Sequence, residues 1–180
     1  MIFLVGGTPT RAKIICLPQI RRLICESAAI FFSSIFVLYN QHMKIAIING
    51  PNLNLLGKRE PGIYGSQSFE EFFGGLQKKY PEIAFSYFQS NVEGELINEI
   101  QRAGFDADGI IINPGGYTHT SVAIGDAIAA IKVPVIEVHI SNVHAREEFR
   151  RLSHVSAKAA GSIIGLGLKG YELAVEWFLK

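Results

Sequence analysis

The chain has 180 residues, 48% hydrophobic and 18% charged, which suffices for one well-buried core and is too short for two comfortable domains. Seventeen Lys and Arg against 16 Asp and Glu leave a formal charge of +1, so nothing in the charge balance asks for a nucleic acid or an acidic surface as partner, and a ligand must be recognised locally. The two cysteines, Cys16 and Cys25, lie outside the part that reads as folded; this excludes a disulfide framework and a thiolate metal site and fits reduced thiols in a cytoplasm.

Residues 1–42 differ from the remainder. They hold Pro9, Pro18, several basic residues and the apolar stretch "AAIFFSSIFVLYN", without the caps and turns that punctuate residues 43–180. A signal peptide would supply a small-residue cleavage site, which is missing. A membrane anchor would need about 20 apolar residues, and Glu26, Ser33 and Ser34 leave this stretch short. The expectation is a disordered extension or a start-site artefact, with Met43 as the functional start and 43–180 as the folded domain.

From Met43 the chain alternates between two patterns. The segments 44–49 (KIAIIN), 83–89 (IAFSYFQ), 109–113 (GIIIN), 135–140 (VIEVHI) and 162–167 (SIIGLG) are short, β-branched and bounded by Gly, Pro or Asn, as strands buried on both faces are. Between them the spacing predicts helices over 69–80, 93–104, 119–131, about 144–160, and 168–180. Ser68 followed by Glu71 reads as a capping box, Gly104 as a helix C-cap and Pro134 as a stop before a strand. Such alternation predicts a doubly wound α/β sandwich with a five-stranded parallel sheet, whose ligand site lies at the carboxyl ends of the strands near the switch point.

Those strand ends are chemically crowded. "NGPNLNLLGKREPGIYG" comes after the first strand, "NPGGYTHTS" after the third and "HISNVHAREEFRR" after the fourth. Asn49 and its neighbours serve equally well as turn formers and as functional groups. Arg59 and Tyr64 share a loop with Gly57, Gly62 and Gly65, a composition suited to a lid, and a cation beside a phenol lowers its pKa from about 10. His139 ends a buried strand two residues after Glu137, the arrangement that orients an imidazole as a general acid. His119 stands at the expected start of a helix, where a binding role and a plain N-terminal position weigh equally.

Several chemistries lack their motifs. There is no GxGxxG after the first strand, and no GxxxxGK[ST], HExxH or GxSxG, and the five histidines show no convincing ligand spacing. A flavodoxin-like binding module without catalysis is the competing class. Receiver domains, however, place acidic groups where this chain has Asn49 and Asn113, and flavin binders place hydroxyls where it has "GPNLNLLG". A lysine Schiff-base dehydration has no lysine at a suitable strand end.

The segments "INGPNLNLLGKREPGIYG", "INPGGYTHTSVAIGDAI" and "VIEVHISNVHAREEFRRLSHVS", with "SNVEGELI" at 90–97, resemble the signature segments of type II 3-dehydroquinate dehydratase from Met43 to the C-terminus. Val92 stands where that family more often has histidine. The resemblance implies a flavodoxin-like fold and the dehydration of 3-dehydroquinate in the shikimate pathway, with no metal or cofactor. Tyr64 matches the general base, Arg59 the lid arginine that keeps it ionised, Asn52 the group that stabilises the enolate, and His139 the general acid oriented by Glu137. Asn113 and the backbone of Ile140 and Ser141 match the binders of the substrate carboxylate, His119 and Arg150 match contacts to ring hydroxyls, and Arg146 a further cation. Asp126 matches a residue that reaches a neighbouring subunit's site, in a family that forms dodecamers built from trimers. No nucleic acid or membrane partner is implied.

Overall fold

The computed structural model describes residues 42–57 and 67–180. The readings of residues 1–41, and of the loop segment with Arg59 and Tyr64, lie outside the described residues. Strand β1 (Met43–Asn49) leads through the 3-10 turn Leu53–Leu55 toward helix α1 (Phe69–Lys79), then to β2 (Ile83–Gln89), α2 (Glu93–Asp106) and β3 (Gly109–Asn113). The 3-10 turn Gly115–His119 precedes α3 (Val122–Ala130) and β4 (Val135–His139); the turns Val143–Ala145 and Glu148–Arg151 precede β5 (Gly161–Ile164) and α4 (Lys169–Phe178).

The five strands form one sheet of order β2-β1-β3-β4-β5, and every neighbouring pair is parallel. The chain reverses direction across the sheet between β1 and β3, so their carboxyl ends open a crevice. Asn49 pairs with Asn113 at that edge, and the Gly50 N–H donates to the Asn113 carbonyl at 2.7 Å. A Cβ on Gly50 would stand 2.5 Å from the Pro114 carbonyl oxygen, so only glycine lets the two loops approach this closely.

Alternation along the strands sorts the core. Ile45, Ile47, Ile111, Ile136 and Val138 face α1 and α4, packing on Phe69, Leu76, Ala174 and Phe178. Ala46, Ile48, Ile110, Ile112 and Val135 face α2 and α3, against Leu96, Ile100, Ile124 and Ile128. Period two therefore puts Glu137 and His139 on the α2/α3 side, with Val135. Each fully buried isoleucine contributes about 1.5–3 kcal/mol, and that apolar mass lets the sheet carry polar groups at its end.

Helix α1 starts as read: the Ser68 hydroxyl accepts from the Glu71 N–H and the Glu71 carboxylate accepts from the Ser68 N–H. Four readings change. Gly104 does not end α2, which runs on to Asp106; it is where the helix presses on Ile131, since an added Cβ would overlap that side chain. Helix α3 begins at Val122, capped by Ser121, and His119 instead closes the preceding 3-10 turn.

The helix expected over 144–160 is absent; the segment forms two 3-10 turns followed by further turns. Its backbone groups are engaged elsewhere. The Leu152 carbonyl accepts from the His119 ring, the His154 N–H donates to the Thr118 carbonyl, and the Ser153 hydroxyl accepts from the N–H groups of Val155 and Ser156. Strand β5 likewise stops at Ile164, where Gly165 turns at φ 84° and sends its N–H to the His139 carbonyl.

Candidate active site

A cleft of about 270 Å³ opens at the carboxyl ends of β1, β3 and β4. The loop after β1 contributes Pro51, Asn52 and the apolar wall of Leu53, Leu55 and Leu56. The segment from β3 contributes Asn113, Gly115, Gly116 and His119. The β4 end and the turns beyond it contribute His139, Ile140, Ser141, Val143, Arg146 and Arg150.

Asn52 adopts a left-handed backbone (φ 66°), which asparagine tolerates better than most residues, and its N–H donates to Asn91 Oδ1 at 3.0 Å. This fixes Asn52 at the wall of the cleft. Asn113 is held on both sides: Nδ2 donates to the Tyr171 hydroxyl at 3.1 Å and Oδ1 accepts from the Gly115 N–H at 3.2 Å. Tyr171 directs its own proton to Asn49 Oδ1 at 2.8 Å, and complete burial pushes the phenol's pKa up, so it stays a donor. Asn49 thus belongs to the buried framework and does not line the cleft.

His119 Nδ1 lies 2.7 Å from the Leu152 carbonyl, which can only accept, so Nδ1 carries the hydrogen and Nε2 is left as an acceptor. Burial pushes the pKa of this imidazole down, favouring the neutral form. Its ring lies nearly parallel to that of His139, with centroids 6.3 Å apart.

Glu137 is wholly buried, and its Oε1 accepts from His139 Nε2 at 2.9 Å. Burial alone would push this carboxyl's pKa up, but the His139 bond and charge and the Ser156 and Thr118 hydroxyls outweigh it and hold the pKa at about 2. An ionised Glu137 obliges His139 to carry a hydrogen on Nε2, which leaves Nδ1 for the cleft. Because the folded pKa is about 2 against an ordinary 4.5, ionisation contributes on the order of 3 kcal/mol of stability above pH 4.5, lost as pH falls toward 2. Melting temperature is therefore expected to fall more steeply below pH 4.5 in the native chain than in Glu137→Gln, and parallel slopes would contradict the assignment.

Arg146 and Arg150 put two guanidinium groups on the rim. Arg150 Nε donates to Glu147 Oε2 at 2.7 Å, and Arg146 Nε stands 3.7 Å from the same oxygen. Between this rim and His139, among the described residues, no backbone acceptor takes the N–H of Ile140 or Ser141. The cleft is thus cationic on one side and carries amide donors at its floor, the chemistry of a site for a small anionic, hydroxylated ligand.

Of the residues singled out in the sequence, Asn52, Asn113, His119, His139, Ile140, Ser141, Arg146 and Arg150 come together around this cleft, with Glu137 directly behind His139. Asp126 is exposed on α3 and does not line it. Tyr171, Thr118, Ser153, Ser156 and Ser162 were not foreseen. Thr118, Ser153 and Ser156 carry a weak signal, since they fall in the hydroxyl- and histidine-bearing runs "THTS" and "LSHVS"; Ser162 and Tyr171 carry none, the latter being one phenol on an apolar helix face. Among the described residues, no group of three His, Cys, Asp or Glu is arranged to hold a metal, and no helix is long and apolar enough to cross a membrane.

Residues 43–179 match the family model for dehydroquinase class II. The chain belongs to that family. A 3-dehydroquinate dehydratase from Fusobacterium nucleatum is 54% identical over 144 residues, covering 77% of this chain and 97% of that protein. One from Caldicellulosiruptor bescii is 55% identical over 135 residues, covering 73% and 93%. Among solved structures, a type II dehydroquinase from Butyrivibrio crossotus superposes with a TM-score of 0.74 at 49% identity, over 77% of this chain and 99% of that one. This class II dehydroquinase therefore has its cleft where the family's fold, a parallel sheet wound on both faces, opens its crevice.

Proposed function

We propose that the chain dehydrates 3-dehydroquinate to 3-dehydroshikimate and water, the shikimate-pathway step toward chorismate and aromatic amino acids. The observation that carries this reading is the Glu137–His139 pair at the floor of a cleft rimmed by arginines, in a chain of the class II dehydroquinase family.

In this reading the elimination is trans and proceeds through an enolate. Tyr64, as tyrosinate, removes a proton from C2, beside the ketone, and Arg59 keeps that phenol ionised. Asn52 stabilises the enolate oxygen through a water. His139 then gives a proton to the departing C1 hydroxyl; with Nε2–H tied to Glu137, Nδ1 is the atom left to deliver it. The N–H groups of Ile140 and Ser141 and the amide of Asn113 hold the carboxylate, and Arg146 adds positive charge. His119 accepts a hydrogen bond from a ring hydroxyl through its free Nε2, with Arg150 on a second hydroxyl.

Residues 43–180 form the catalytic domain in this account. The chain works in the cytoplasm as a dodecamer of trimers, with the exposed Asp126 reaching the cleft of a neighbouring copy. No cofactor is required, because a base, an enolate stabiliser and an acid suffice for the loss of water. The binding module without catalysis has no support in the family match.

Sodium borohydride distinguishes this route from a lysine Schiff base, since it traps an imine covalently. Treated with borohydride in the presence of 3-dehydroquinate, the protein is expected to keep its activity after dialysis, and irreversible loss would refute the enolate route.

A further inference from the structure

Glu137 makes more polar contacts than orienting one imidazole requires. Oε1 accepts from the Thr118 hydroxyl as well as from His139, and Oε2 accepts from the Ser156 hydroxyl, with Ser162 at 3.1 Å. Ser153 Oγ lies 3.3 Å from one carboxylate oxygen and 3.4 Å from the other, 3.0 Å from Thr118 Oγ1, and Ser162 Oγ is 3.1 Å from Ser156 Oγ.

Each hydroxyl has one proton to give, so the network can be ordered. Thr118 and Ser156 each donate to a different oxygen of Glu137. Ser153 can then donate to Thr118, and Ser162 to Ser156, each orienting the hydroxyl in front of it. These groups come from the 3-10 turn after β3, the segment after the turn Glu148–Arg151, and β5. Among the described residues no lysine or arginine pairs with the carboxylate, so neutral dipoles and His139 sustain a charge in a wholly buried place. A buried carboxylate is a poor way to gain stability, since an apolar replacement of equal volume usually does as well or better. The set of hydroxyls makes sense as a device for fixing the carboxylate plane, and with it the direction in which His139 points.

We propose that Thr118 and Ser156, backed by Ser153 and Ser162, are positioning residues for the acid step, acting on His139 through Glu137. The inference rests on the reading of His139 as the proton donor.

Ser156→Ala and Ser162→Ala, made in the full chain, test it by a double-mutant cycle with Glu137→Gln. Ser156→Ala is expected to lower kcat about tenfold, the equivalent of one hydrogen bond of ~1.4 kcal/mol, with KM within about twofold. Ser162→Ala, acting one bond further out, is expected to lower it less. Ser156→Thr, which keeps the hydroxyl, is expected to restore the rate. In the Glu137→Gln background the Ser156→Ala loss is expected to shrink to less than about twofold, because its target is gone. Equal loss in both backgrounds, a rise in KM with kcat unchanged, or no loss at all would overturn the proposal. Should Ser156→Ala fail to fold by circular dichroism, the Ser162→Ala cycle carries the same comparison.

The low-field proton resonance of His139 Nε2–H reads the network without turnover. It is expected to move in Ser156→Ala and to return in Ser156→Thr, and an unmoved resonance would overturn the proposal even where the activity reading stands. An unaltered rate in His139→Asn would instead remove the acid assignment, and with it the acid step that the proposal serves.

Discussion

Replacing His139 with asparagine is expected to lower kcat by roughly 10²–10⁴-fold while leaving substrate affinity within a few-fold of the native value. The asparagine amide can still donate to Glu137, so the floor of the cleft keeps its shape, but it has no proton to deliver to the departing hydroxyl. The split between rate and affinity is the informative part. His139 is nearly buried between Glu137 and the His119 ring, whereas the cationic rim and the amide N–H groups that hold an anionic ligand lie on other residues. Steady-state kinetics paired with calorimetric binding of an unreactive substrate analogue separates the two quantities. Unchanged turnover would refute the acid assignment, and lost binding with intact turnover per bound substrate would recast His139 as a holder.

Arg59→Ala is expected to cost about 10²–10³-fold in kcat at pH 7 with the fold intact. A free phenol has a pKa near 10, so only about one in a thousand is ionised at neutrality, and that fraction bounds what a lost cation can cost. In the proposed mechanism the ionised phenol is the base, so the deficit of the variant should shrink as pH rises toward 10, whereas a purely structural defect would not recover with pH. Circular dichroism checks the fold and a pH series of kcat checks the chemistry. A near-normal kcat at pH 7 would remove Arg59 from the account.

Legibility in the sequence depends on the physical length scale of each feature. Strands β2 and β3 match their sequence readings residue for residue; β3 is buried throughout and announces itself as a continuous apolar run, whereas β2, at the sheet edge with only Ile83 buried, shows itself by its aromatic and β-branched residues, and the crevice between β1 and β3 arises from topology. The capping box at Ser68 and Glu71 was also readable, being local. The segment 144–160 was not. Its helical spacing is real, yet the His119 ring and the Thr118 carbonyl claim the Leu152 carbonyl and the His154 N–H from a distant stretch of chain, and no local pattern reports such a bond.

The same limit applies to the site. His139 and Glu137 stand two apart on one strand and so share a face, which period two reveals. The hydroxyls around Glu137 and the Tyr171 link between Asn49 and Asn113 join elements distant in sequence, and only the folded chain brings them together.

The most direct test of the dehydratase reading is ultraviolet absorbance on mixing the full chain with 3-dehydroquinate. Loss of water conjugates a new carbon–carbon double bond with the ketone, so absorbance is expected to rise with a rate proportional to enzyme concentration. A flat trace from folded protein would contradict the account.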